Sequence, residues 1–267
     1  MKNIILTTLF LLAGVGVHAA GNVDDDYSMV PTRFETQMKL GETREFNVRI
    51  SNNMKKKKMD AYQISLLDFD LNEQGILNTP VKNKNPRGLL PYSRVSAEVF
   101  SVNALENHMI KIIVTIPKDF KYGSGYVVYK LGQEVDAGLK GSGIGFTKNY
   151  YGFIAINISE NEKKEISIEK VYYKDSRLTV ELKNVGESFL KTSSNIVVMD
   201  GDKKVGVFEL LDDKSRKEFL NIPDTTRKVF SIIPDSLFKS IKRPRATVIV
   251  SDVKSGYLKS MVLEIKK

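Results

Sequence analysis

The chain of 267 residues contains no cysteine, which excludes disulfide bonds and thiol chemistry. Histidine is almost as scarce, with two in the whole chain, so zinc or copper sites that need several histidine or cysteine ligands lack their components. No apolar run reaches the length of about 20 residues that a membrane-spanning helix needs. The stability of the protein must therefore come from apolar cores.

The first residues have the pattern of an export signal. Lys2 supplies a positive start, residues 4–17 are apolar, and the tripeptide V-H-A ends at Ala19 with the small residues that a signal peptidase prefers. We therefore predict a signal peptide at residues 1–19, with no integral membrane segment after its removal. The protein is expected to be periplasmic or secreted. The remaining 248 residues suit two domains of about 100–150 residues.

Short alternating apolar runs separated by Gly, Asn, Asp and Pro predict an all-β protein of two immunoglobulin-like sandwiches in tandem. The clearest strand covers residues 43–50, and residues 95–102 are also read as one strand. The polar, apolar-free stretch at residues 159–164 predicts a linker, which places the first sandwich at residues 20–160 and the second at residues 161–267. Only residues 235–241 indicate a helix.

No set of residues in the sequence fits the active site of an enzyme. After signal removal His108 is the only histidine, in a predicted turn, and no nucleophile and orienting group accompany it in the pattern of a triad. Asp68, Asp70 and Asn72 match the start of a calcium loop, but Thr79 stands where a bidentate carboxylate is required. The sequence thus predicts no catalytic site, no metal and no cofactor.

The chain is basic, with a formal net charge of +9 and a pI of about 9.4. Export argues against nucleic acid as a partner. Anionic lipid, acidic glycan and carboxylates of a partner protein remain open, as does simple surface charge. The lysine run at residues 55–58 illustrates the last reading, because it is most simply an exposed loop between two strands.

Four segments resemble the PapD-like periplasmic pilus chaperones and related exported proteins. They are K-x-G-E at residues 39–42, D-F-x-x-x-E-x-G at residues 68–75, P-R-x-L-x-P at residues 86–91 and V-x-I-P at residues 114–117. The resemblance covers the first half of the mature chain. It implies a non-enzymatic chaperone or accessory protein for assembly of pili or other surface structures, which pairs β-strands with a subunit and has an outer-membrane usher as a possible further partner.

The same resemblance implies a site for the carboxylate at the C terminus of a subunit. Arg33 matches the arginine near the N terminus of the family, and Lys148 is the candidate for its lysine partner. Ile144 and Phe146 alternate just before Lys148, so they are the candidate apolar contacts of a donated strand. The alternative function is a structural or adhesive surface protein that binds glycan, cell wall or host matrix, since a fold does not determine a function.

Overall fold

The computed structural model describes residues 27–54, 60–68, 70–71, 77–78, 85–133, 149–212, 214–252 and 254–266. These residues are mostly β-strand, with one short α-helix, α1 (Asp235–Ser240), and two short 3-10 helices (Leu90–Tyr92 and Ser159–Asn161). In this part of the chain, no helix has the length and apolar character needed to cross a membrane.

The first half of the described chain forms two facing sheets. One has the strand order β1-β3-β9-β7 and the other the order β2-β11-β10-β4-β8, while β5 and β6 form a separate two-stranded sheet. The strands are β1 (Tyr27–Val30), β2 (Arg33–Met38), β3 (Thr43–Asn52), β4 (Asp60–Leu67), β5 (Asp70–Leu71), β6 (Leu77–Asn78), β7 (Ser93–Val95), β8 (Val99–Val102), β9 (Asn107–Thr115), β10 (Ser124–Gln133) and β11 (Asn149–Ile158).

The alternation in the sequence explains this sandwich. In β9, Ile110, Ile112 and Val114 are fully buried and face the core, while the residues between them face outward. Tyr62 and Ile64 of the opposite sheet pack into the same core. β2 differs from the other edge strands because it runs parallel to its neighbour β11.

The second half forms another two-sheet sandwich. The sheet β12-β13-β17 faces the sheet β15-β14-β18-β19, and β16 extends the second sheet by pairing with the start of β14. Phe238 of α1 is buried in the core between the sheets. The strands are β12 (Ile166–Lys174), β13 (Arg177–Asn184), β14 (Leu190–Asp200), β15 (Lys203–Leu210), β16 (Glu218–Asn221), β17 (Thr226–Ile232), β18 (Pro244–Asp252) and β19 (Tyr257–Glu264).

The fold class predicted from the sequence is confirmed: the protein is all-β, with two immunoglobulin-like sandwiches in tandem. The domain limits at residues 160 and 161 stay a prediction. The connection between the halves is bonded to both of them, since Asn161 donates a hydrogen bond to the carbonyl of Phe120 at 2.8 Å and the amide of Lys163 donates to Ser188 at 3.1 Å.

Two local predictions differ from the structure. Residues 95–102 are not one strand, because β7 pairs with β9 in one sheet and β8 pairs with β4 in the other. The chain crosses between sheets there, with the amide of Ser96 bonded to the first sheet at Lys111 and the carbonyl of Glu98 bonded to the second at Ile64. His108 lies inside β9 instead of a turn, and its ring stacks on Phe100 with centroids 4.8 Å apart.

Candidate functional site

Strand β11 has one side that is only partly covered. From Asn149 to Asn157 it pairs with β10, but β2 covers its other side only from Phe153 to Ile158. The amide of Phe153 donates to the carbonyl of Thr32 at 2.9 Å, so the backbone groups of Phe153 point towards β2. Since these groups alternate along an antiparallel strand, those of Tyr151 point to the same side. There, among the described residues, no strand pairs with them.

The point at which β2 begins is determined by a tyrosine and a glycine. The ring of Tyr129 lies against Gly152, where any side chain would overlap it. Its hydroxyl donates to the carbonyl of Pro31 at 2.6 Å and so ties the chain just before β2 to this sheet. Burial raises the pKa of Tyr129, so the phenol stays protonated and remains a donor. The open stretch of β11, residues 149–152, therefore ends where β2 takes over.

Arg33 is the first residue of β2 and lies beside that end of the open stretch. Its ladder partner is Phe153. Phe34 of the same strand faces the core, so Arg33 and Glu35 face outward. Arg33 forms an ion pair with Glu35 through Nε, and its side chain is 30% exposed. Its Nη2 atom is enclosed, and within the described part of the chain it has no hydrogen-bond partner.

The outer face that carries Arg33 is also the face on which the second sandwich docks. Tyr126, Val128 and Ala155 of the first sandwich form a buried apolar cluster with residues of the second, and Phe153 packs against it. The rings of Tyr126 and Phe153 stack with centroids 5.8 Å apart. The contributions of the second sandwich are Phe189, Leu220 and Ile222. Arg33 thus lies at the rim of the interface between the domains.

The domains are also held by Arg87, the arginine of the P-R-x-L-x-P segment. This segment runs beside β10, with the amide of Tyr126 bonded to the carbonyl of Arg87 at 3.0 Å. The Arg87 side chain is only 8% exposed and contacts Glu187 at 2.7 Å and Asp224 at 3.2 Å, both in the second sandwich. Burial acts to lower the pKa of Arg87, but the bonds to Glu187 and Asp224 outweigh it and raise the pKa. The arginine therefore remains charged at the interface.

The second sandwich has a further arginine next to β16, a strand that contributes to the interface. Arg216 lies two residues before β16, the strand that carries Leu220 into the interface. Its Nε donates to Asp212 at 2.7 Å, and Arg227 contacts the same Asp212 oxygen at 3.4 Å. Asp212 is 1% exposed, whereas Arg216 is 47% exposed. Burial acts to raise the pKa of Asp212, but the hydrogen bonds from Arg216 outweigh it and lower the pKa.

The residues predicted from the resemblance are only partly within the described chain. Arg33 lies at the start of β2, at the rim of the interface, and its role stays a prediction. Lys148, Ile144 and Phe146 lie outside the described residues. Arg216 and Asp212, which form an ion pair within the second sandwich, were missed because neither belongs to a segment that carries the resemblance. Arg87 could have been found, since it is the arginine of a segment that carries the resemblance.

The comparisons with known proteins bear on the fold. Neither a protein-family model nor a curated protein sequence matches the chain. The class 5 fimbriae chaperone CfaA matches with a TM-score of 0.50 and 10% identity over 91% of this chain and 100% of that chain. A chain of the chaperone–tip adhesin complex of CFA/I fimbriae biogenesis matches with a TM-score of 0.50 and 10% identity over 90% of this chain and 98% of that chain.

At this identity the similarity establishes the fold. The protein has the two-domain fold of a fimbrial chaperone, matched over nearly the whole length of the solved chains. The resemblance to PapD-like pilus chaperones that the sequence motifs indicate is confirmed at the level of the fold.

Proposed function

We propose that this protein is a non-enzymatic periplasmic chaperone or accessory protein for the assembly of pili or other surface structures. It binds an extended strand of a partner subunit along the open side of β11. The observation that carries the proposal is the four-residue stretch at residues 149–152, whose outer side no described strand covers and which ends beside Phe153, the ladder partner of Arg33. A sheet edge with free backbone groups is a template for strand addition.

The charge of Arg33 selects the direction of the added strand. A partner strand on the open side of β11 would lie in line with β2, ahead of Arg33. If it ran parallel to β11, as β2 does, its C-terminal end would point at Arg33. A terminal carboxylate there gains a charge-assisted hydrogen bond, whereas the terminal amine of an antiparallel strand would meet a like charge. Arg33 therefore favours a parallel strand with a free C terminus.

The fold and the export signal support the same reading. Two solved chains with this fold come from fimbrial chaperone structures, one of them a chaperone–tip adhesin complex. The predicted signal peptide supports a location outside the cytoplasm, where surface subunits are assembled. An outer-membrane usher would be the second partner in such an assembly.

Co-expression with any small subunit proteins that prove to be encoded beside its gene tests the proposal. The wild-type protein is expected to co-purify with a subunit and to protect it from degradation. Tyr151→Pro removes an outward N–H of β11 without touching its ladder with β10, so it is expected to weaken the complex at least about tenfold. Arg33→Ala is expected to have a similar effect, because the loss of a charged anchor at an interface costs about 2 kcal/mol or more.

The matched control is Arg49→Ala, at an exposed arginine of β3 in the other sheet. It should leave the affinity of the complex unchanged. In thermal unfolding, the free energy of unfolding of all three variants should stay within about 0.5 kcal/mol of the wild-type value, as expected for a surface substitution. If no encoded subunit binds, but the protein binds glycan, cell wall or host matrix, the adhesive alternative replaces the chaperone.

A further inference from the structure

The positive charge of the mature chain is concentrated in its second half. Residues 161–267 contain 22 lysines and arginines and 16 aspartates and glutamates, a net charge of +6. Residues 20–160 contain 18 and 16 of these, a net charge of +2. Most of the basic character of the protein therefore belongs to the half that forms the second sandwich, and an anionic partner is attracted to that half.

The second sandwich has one end at the interface between the domains and another end far from it. Phe189, just before β14, packs in the interdomain cluster, whereas Asp200 ends this strand of 11 residues. At about 3.3 Å per residue, the two ends of β14 lie about 33 Å apart. The far end is formed by residues 174–177, 200–204, 232–245 and 264–266, which we call the distal end.

Backbone hydrogen bonds join the four segments of the distal end to one another. The amide of Ile233 donates to the carbonyl of Ser176 at 3.0 Å, and the amide of Gly201 donates to the carbonyl of Arg243 at 3.0 Å. The amide of Ile265 donates to the carbonyl of Pro244 at 3.1 Å. The segments therefore form one continuous surface, although they are far apart in the sequence.

The distal end carries nine lysines and arginines and five aspartates and glutamates, and all nine basic residues are exposed. Two of the acids hold the loops together. Asp200 accepts from the amides of Lys242 and Arg243 at 3.1 and 2.8 Å, and Asp235 accepts from the hydroxyls of Tyr173 and Ser176. Within the described chain, ion pairs involve only two of the nine basic residues, one with Asp235 and one with Asp202. The other basic residues are free to meet an anionic surface.

Exposed apolar side chains lie among these charges. Ile232, the last residue of β17, is 69% exposed, and Leu237 of α1 is 36% exposed. Their neighbours Ile233 and Phe238 are buried in the core, and the Phe238 ring stacks on Tyr173 with centroids 3.8 Å apart. The segment is thus anchored through its buried residues, while Ile232 and Leu237 remain at the surface.

The combination of basic and apolar side chains distinguishes between anionic partners. An acidic glycan or a carboxylate-rich protein would use the charge alone. The interfacial layer of an anionic bilayer uses both, because lysine and arginine bind the phosphates of the headgroups while apolar side chains enter the boundary with the acyl chains. We propose that the distal end of the second sandwich docks the protein on the surface of an anionic phospholipid bilayer. This docking does not depend on strand binding by β11, which belongs to the first sandwich.

Co-sedimentation of the full mature chain with lipid vesicles tests the docking. Vesicles of phosphatidylcholine alone are compared with vesicles that contain about 30% phosphatidylglycerol, which is anionic. The wild type is expected to bind the anionic vesicles at least about tenfold more tightly. Raising the ionic strength from about 0.1 to about 0.5 M should remove most of this difference, because the surface charges are then screened within a few ångströms.

The charge is tested with two double variants that lower the net charge equally. Lys204→Gln with Lys242→Gln, at the distal end, should weaken binding to the anionic vesicles about 25-fold, since each basic residue near such a surface contributes about fivefold. The matched control is Lys183→Gln with Lys254→Gln. These two lysines are exposed on the same sandwich but lie towards its interface end. The control should lose less than about threefold.

The apolar contact is tested separately. Ile232→Ser should weaken binding about tenfold, and this loss should persist at the higher ionic strength. Leu105→Ser is its control, at a side chain of the first sandwich that is 67% exposed. It should bind as the wild type does. Tyr151→Pro, which is designed to weaken strand pairing on β11, should also leave vesicle binding unchanged.

The outcomes that overturn the docking are distinct. If the wild type binds neither kind of vesicle, or binds both equally, the distal end is not a surface for anionic lipid. If the two double variants lose the same affinity, the overall charge of the protein attracts the vesicles and the distal end has no special role. If polygalacturonate, a soluble acidic glycan, binds as tightly as the vesicles and Ile232→Ser has no effect on either, the end recognises glycan charge and the assignment to lipid is wrong.

Discussion

Nη1 of Arg87 in the first sandwich donates to the carboxylate of Glu187 in the second at 2.7 Å, and its guanidinium lies over the ring of Tyr122 at 4.8 Å. The backbone carbonyl of Arg87 is bonded to β10 of its own domain. The same residue therefore joins a strand of one domain to a carboxylate of the other. This contact helps to hold the two docked sandwiches together.

We predict that Arg87→Met destabilises the docked pair of domains. The apolar part of the side chain is kept, but the contacts with Glu187 and Asp224 are lost. These two carboxylates are 43% and 78% exposed and can be solvated again, so the expected loss in the free energy of unfolding is about 1–2 kcal/mol, less than for a fully buried pair. Urea denaturation measures it.

Arg94→Met is the control for this change, since Arg94 is an exposed arginine of β7 in the same domain. It should leave the free energy of unfolding within about 0.5 kcal/mol of the wild-type value. Equal stability of the Arg87 and Arg94 variants would show that the interdomain contact contributes nothing.

The Asp212 carboxylate is expected to make the stability depend on pH. Its pKa is lowered in the folded state, so its contribution is fully present above the unfolded-state pKa of about 3.9 and is lost as the pH falls through the lower folded-state value. Asp212→Asn should therefore destabilise the protein at pH 7, by about 3 kcal/mol because Arg227 loses a buried partner. The difference from the wild type should shrink as the pH falls below about 4.

Urea denaturation of both proteins at several pH values between 7 and 3 checks this. Other carboxylates act on the wild type and the variant alike and cancel in the difference. A difference that stays constant over this range would mean that the Asp212 charge does not contribute.

The contact between Gly152 and Tyr129 is expected to be sensitive to a single methyl group. Gly152→Ala places a Cβ inside the Tyr129 ring, which must move and give up its hydrogen bond to the Pro31 carbonyl. Overpacking of this kind destabilises by about 1–3 kcal/mol. The double variant with Tyr129→Leu should lose less free energy of unfolding than the two single variants lose together, because the clash is removed.

Gly132→Ala is the matched control, at a strand glycine of β10 whose nearest neighbour is a side-chain oxygen of Asn149 at 3.2 Å from the added Cβ. Thermal unfolding of the four variants compares them. If Gly152→Ala destabilises the protein no more than Gly132→Ala does, Tyr129 does not determine where β2 begins.

Much of the fold is predictable from the sequence, because the information is local. Alternation identifies β9 and places Ile110, Ile112 and Val114 in the core, and the Asp-Gly-Asp tripeptide predicts the hairpin in which Asp200 pairs with Lys203. The brief helical signal after Pro234 also corresponds to α1. A strand's side-chain periodicity and a turn's residue preferences depend on neighbours in the chain, so one sequence is enough to read them.

Only the tertiary structure decided what depends on distant residues. Nothing local shows that residues 95–102 divide between two sheets, since each half alternates correctly by itself. The open side of β11 exists because β2 begins at Arg33, and that start depends on Tyr129 reaching Pro31. Arg33 lies at the rim of a domain interface only because the two sandwiches dock through residues such as Phe153 and Leu220. Charge and hydrogen-bond complementarity across an interface are properties of the packed surfaces. The order of residues in the sequence does not reveal this complementarity.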